Sequence, residues 1–164
     1  MKKAVGLLAN VLLSVAGWIQ WLPPLLIRVF LGYLFFESGL PKIERVANFT
    51  KVFVGWGIPY PHLSLLLVGY TETVGGLLLI VGLVTRIACI PLIIDMAVAT
   101  ATVQIKEANG FADFVALDDP LYMLTFFWLM VSGPGLVSLD FFIKRWIGVH
   151  FGLLNSRLGE VQLP

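Results

Sequence analysis

One stretch restricts the fold more than any other: Leu63 to Arg86, LSLLLVGYTETVGGLLLIVGLVTR. It is long and apolar enough to cross a bilayer, which takes about 20 apolar residues, yet it carries one acid, Glu72, near its middle. A carboxylate at that depth is costly and faces a partner inside a bundle rather than lipid. Gly69, Glu72 and Gly76 fall on one helical face, at i, i+3 and i+7. Together with Gly75 they give the close-packing glycines of a groove in which a second helix can come near, as small residues do between membrane helices. This helix is therefore expected at the centre of a bundle, with the chemistry of the protein passing near Glu72.

The rest of the composition agrees. Of 164 residues, 59% are hydrophobic and 13% charged, against about 45–50% and 25% in soluble domains, so the chain reads as a one-domain integral membrane protein in contact with the lipid bilayer. A net charge of +1 offers no basic surface for nucleic acid. The single cysteine, Cys89, and two distant histidines, His62 and His150, supply no internal disulfide, no C-x-x-C pair and no zinc spacing. No haem ligands are evident.

Taken in order, residues 1–21 read as an interfacial helix, with Lys2 and Lys3 ahead of an apolar run and Trp18 and Trp21 at the boundary; a cleaved signal peptide is the alternative. Spans are expected at about 22–40, 63–85, 87–105 and 120–137. Pro23 and Pro24 suit a helix start, and a polar elbow of Glu37, Ser38, Gly39, Pro41 and Lys42 is expected to close the first span. The connector from Lys42 to Pro61 has a helical period in its first half and then breaks at Gly55, Gly57, Pro59 and Pro61. Thr85-Arg86 is expected to be a tight turn between antiparallel spans, and Pro91 a kink in the third. Residues 106–119 read as an acidic loop, and 139–164 as a surface helix and tail. The expected fold is all-α, a four-transmembrane-helix antiparallel bundle with amphipathic surface helices. Loop and terminal basic residues then divide six to four, in favour of both termini in the cytoplasm.

Arg28 lies in the first span and Asp95 near the centre of the third. Arg28, Glu72 and Asp95 are thus the candidate intramembrane polar site. A low dielectric does not tolerate all three charges, so the expectation is one Arg28–acid pair and one protonated or proton-sharing acid. Such a cluster has two readings: a structural pair that fixes helix register, or a site for a proton, a quinone head group or a small polar substrate. Glu37 and Lys42 are secondary candidates at the elbow.

Several stretches, in order and spacing, resemble the DoxX family of small four-helix membrane proteins: RVFLGYLFFESGLPKI, GIPYP, ETVGGLLLIVGLVTRIA and GPGLVSLD. The matching set is Arg28, Gly39 with Lys42, Glu72 with Gly75-Gly76, Gly82 with Thr85-Arg86, and Gly133-Pro134-Gly135 with Ser138-Leu139-Asp140. Where the family often has a basic residue after the second glycine of the last motif, this chain has Leu136, so no role of that charge carries over. The resemblance implies a bacterial inner-membrane protein. Relatives include a protein named for a thiosulfate:quinone oxidoreductase, members of membrane-bound oxidative-stress complexes and, more distantly, cargo receptors.

Two functions follow. One is a membrane subunit of an oxidoreductase or stress-response assembly, with protein partners and a quinone- or proton-handling site between the helices. The other is a non-enzymatic carrier, receptor or anchor for a small molecule, peptide or protein. The lack of a thiol pair and of cofactor ligands argues against catalysis by this chain alone.

Overall fold

The computed structural model describes residues 13–14, 17–106 and 110–148. Most of the expected N-terminal surface helix, with Lys2 and Lys3, lies outside the described residues, as do Glu107 and the tail beyond residue 148 with His150 and Arg157. Among the described residues the regular elements are all helical: α1 Leu22–Glu44, α2 Val46–Gly55, α3 Pro61–Val81, α4 Thr85–Thr102, a 3-10 turn Gln104–Lys106, α5 Phe111–Val115 and α6 Asp118–Ser132. Residues 139–148 are helical again. Three helices are long and apolar enough to cross a membrane: α1, counted from Gly17, and α3 and α4. Helix α6, at 15 residues, is roughly 22 Å long.

Backbone chemistry explains where the boundaries depart from expectation. α1 does not stop at the elbow near Leu40; it runs through Pro41 to Glu44 and breaks at Arg45, whose φ is −117° and ψ 45°. Proline at position 41 removes only one intrahelical bond, close to the helix end, and the cost there is small. The tight turn comes one turn earlier than Thr85-Arg86. Gly82, at φ +72°, ends α3 with its N–H donating to the Leu78 carbonyl, while the Leu83 N–H bonds the same carbonyl at 3.0 Å. Thr85 is already the first residue of α4. α6 begins at Asp118, with Pro120 in its first turn.

α1 packs against α3 without side chains between them at two places. A Cβ placed on Gly76 would stand 2.5 Å from the Gly32 carbonyl oxygen and 2.6 Å from the Phe36 nitrogen. One placed on Gly39 would stand 2.6 Å from the Thr73 nitrogen. Gly69 lies against Ile43 and Lys42, so the two helices run antiparallel. Gly75 faces the other way, onto Leu92 of α4. The apolar core joins α1, α3, α4 and α6 through Leu31, Phe35, Leu79, Leu92, Phe126 and Leu129, with Cys89 buried among them. Phe35 meets Phe126 edge-on at a ring separation of 4.9 Å.

The far end of α1 is tied by Arg28, which is 2% exposed. Its guanidinium donates to the Pro134 carbonyl at 2.7 Å and the Val137 carbonyl at 2.6 Å. Asp140 completes the knot. Its carboxylate accepts from the backbone N–H groups of Val84 (2.7 Å) and Thr85 (3.1 Å), and its own N–H donates to the Gly82 carbonyl. It thereby satisfies donors that open α4. Gly82 is packed directly under the Arg28 guanidinium.

The α1–α3 contact makes a direct prediction. Gly76→Leu should force the backbones apart and lower stability by about 1–3 kcal/mol or more, read as a lower midpoint in detergent unfolding. Gly17→Leu, where a Cβ meets nothing, should leave the midpoint unchanged.

Candidate functional site

α1 running on past Pro41 carries Lys42 over α3, where its ammonium forms an ion pair with Glu72. The Lys42 Nζ also donates to Ser38 Oγ at 3.2 Å. Glu72 is buried, and Lys42 is only partly accessible. Gly69 and Gly39 make this meeting possible: both lie where a side chain would fill the space between α1 and α3.

The pair stands in the wall of a cavity of about 460 Å³. Its apolar lining includes Phe35, Phe53, Trp56, Val68 and Met96. Helix α2 covers one side, with Phe53 buried and its ring 5.6 Å from that of Trp56. Three further polar groups reach the cavity: Asp95 from α4, and Asp119 and Tyr122 from α6. Asp119 is buried at the start of α6 and accepts a hydrogen bond from the Gln104 side chain. Asp95 is different. Its Oδ2 is buried and has no hydrogen-bond partner. An unsatisfied buried acceptor is costly, and this one belongs to a side chain that lines the cavity. Glu72, Asp95, Asp119 and Lys42 lie close enough to feel one another's charge. One cation therefore serves three acids. Among the described residues, no group of three or more His, Cys, Asp or Glu is placed to hold a metal ion.

The structure thus brings Glu72 and Asp95 to one cavity but not Arg28, and the expected Arg28–acid pair does not form. The register set by Gly32 against Gly76 explains why. Gly32 meets Gly76 and Ile80, so Arg28, one turn earlier, meets Gly82, nearly three turns or roughly 15 Å along α3 from Glu72. Lys42, a secondary candidate, takes the partner's place. Glu37 is exposed on α1 and does not line the cavity. Asp119 was missed because residues 106–119 read as an acidic loop, and Tyr122, in the expected fourth span, read as ordinary packing. Their signal was helical spacing: Asp119, Tyr122, Phe126 and Leu129 share one face of α6.

Comparison with known proteins gives one family and a few relatives. The family model described as DoxX matches residues 24–105. A Bacillus subtilis protein named "Putative oxidoreductase CatD" is 32% identical over 122 residues, covering 74% of this chain and 87% of the relative. The uncharacterized membrane protein Rv3486 of Mycobacterium tuberculosis is 31% identical over 129 residues, 70% of this chain and 77% of that one. No solved structure gives a significant match.

The ion pair can be tested by a double-mutant cycle. Lys42→Met leaves Glu72 buried without its partner and should cost about 3 kcal/mol. Adding Glu72→Leu should restore most of that loss. Unfolding midpoints of the two single variants and the double variant in one detergent check it. Additive losses would mean the two side chains do not interact.

Proposed function

The chain belongs to the DoxX family of membrane proteins, and on that footing we propose that it is a membrane subunit of an oxidoreductase or stress-response assembly whose cavity between the helices handles a quinone head group and a proton. The observation that carries this reading is Asp95: a buried carboxylate oxygen without a partner, set in a mostly apolar cavity beside the Lys42–Glu72 pair. The name of the Bacillus subtilis relative leans the same way. In this reading α6 is a short fourth span beside α4, completing an antiparallel bundle in a bacterial inner membrane with both termini in the cytoplasm. Soluble protein partners supply electrons.

The residues present suit such a ligand. Phe35, Phe53 and Trp56 offer flat apolar surface for a ring. Lys42 is positioned to donate to a ring oxygen while Glu72 holds the ammonium in place. Asp95 can hold a proton at Oδ2 or give it up, and Asp119 with Gln104 stands between the cavity and the loop that follows α4. A bound quinone would supply the two-electron redox chemistry. This chain has one cysteine, so it cannot cycle a disulfide of its own.

Mass spectrometry of protein purified in gentle detergent tests the proposal. Wild type should retain quinone. Asp95→Asn, which keeps shape and removes charge, should retain at least tenfold less while unfolding at a midpoint near that of wild type; Glu72→Gln should retain as little, at a midpoint lowered by loss of the Lys42 pair. A stoichiometric protein or peptide client with no quinone would replace this reading with that of a carrier or receptor.

A further inference from the structure

A second cavity, of about 410 Å³, opens at the opposite end of the helices, beside the Arg28 knot. Gln20 and Trp21 border it ahead of α1, Arg86 from the first turn of α4, residues 132–136 from the end of α6 onward, and Asp140, Phe141 and Lys144 from the last helical segment. The proposed redox cavity shares none of these residues. The charges here do not cancel. Asp140 uses both carboxylate oxygens on the Val84 and Thr85 N–H groups and lies within electrostatic reach of Arg28. Arg28 in turn is buried on the Pro134 and Val137 carbonyls. Arg86 and Lys144 are the cations left over. Both are exposed, and neither forms an ion pair among the described residues. Arg86 lies over Gly133, whose missing side chain lets the guanidinium come close.

The surroundings specify the anion. The pocket sits at the start of α1 and α4 and the end of α6, which on the proposed arrangement of spans is the membrane boundary. Apolar side chains line it: Trp21 and Leu136, both exposed, and Phe141. A phosphate between Arg86 and Lys144 would be met by two cations, and acyl chains leaving it would lie along that apolar rim. A soluble anion has no use for the rim. We propose that this pocket binds the head group of an anionic phospholipid, with Arg86 and Lys144 as its phosphate ligands and Trp21 at the glycerol level.

The test uses the full chain in neutral detergent, loaded with phosphatidylglycerol or phosphatidylcholine and read by native mass spectrometry. Phosphatidylglycerol should be retained at least tenfold better. The Arg86→Gln/Lys144→Gln double variant should lose that preference with its unfolding midpoint unchanged, because both side chains are exposed. Lys51→Gln, at an exposed site on α2, should keep it. Equal retention of the two lipids would overturn the proposal, as would an unchanged preference in the double variant. Displacement of phosphatidylglycerol by an equal concentration of inorganic phosphate would also overturn it, by assigning the pocket to a soluble anion.

Discussion

Two helix backbones approach each other through glycine, and the positions of the charges follow from that contact. At Gly32–Gly76 and at Gly39 there is no room for even one methyl group between α1 and α3. In lipid no hydrophobic effect drives helices together, so close van der Waals packing over small residues must do so. Such packing is short-ranged and therefore exacting: slide one helix by a residue and the glycines no longer coincide. The register in turn puts Lys42 within reach of Glu72 and leaves Arg28 nearly three turns away, next to the turn that ends α3. A buried ion pair adds little stability of its own. Its geometry here is a consequence of the glycine contact, and it adds a penalty against any other alignment.

The residues that carry the family likeness divide between two ends of the molecule. Arg28, Gly82, Thr85, Gly133-Pro134-Gly135, Ser138 and Asp140 converge on one knot. Most polar groups in it have a partner: guanidinium on carbonyls, carboxylate on N–H groups, and Ser138 Oγ on the Gly135 carbonyl. The exceptions are Arg28 Nε and Thr85 Oγ1. Gly39, Lys42, Glu72 and Gly75-Gly76 belong to the other half, around the first cavity or its supporting contact. There one acid is left over, since Asp95, which lines the cavity, keeps a buried Oδ2 without a partner. A knot whose main groups are satisfied holds helices together. A cavity that leaves an acid unsatisfied bears a cost that stability alone does not explain, which is why function is sought there and not at Arg28.

Much of this was legible in the chain, and the failures have physical causes. Glu72 announced itself by its depth, and its flanking glycines announced a close neighbour, because few side chains are tolerated in either role. Arg28 misled because depth along one helix says nothing about register against the next, and register is set by side chains that are absent rather than present. Lys42 was underrated because Pro41 beside Gly39 reads as a stop. Near a helix end, however, proline removes a single bond and the helix continues. Asp119 was lost among the acids of a loop, although its spacing from Tyr122, Phe126 and Leu129 marks the buried face of α6. In each case the local signal was sound and a neighbouring element decided the outcome.

The two ends also differ in sign. Around the first cavity stand three acids and one lysine; around the second, two uncompensated cations remain after Arg28 and Asp140 are set against each other. The two sites lie at opposite ends of the helices and share no lining residue. An acid-rich site favours neutral ligands, hydrogen-bond donors and protons over anions. A cation-rich site at the other end favours anions, and on the proposed reading a lipid phosphate. On the proposed reading this polarity separates two tasks that would interfere if placed together: fixing the protein in the bilayer, and keeping a protonatable carboxylate available inside it.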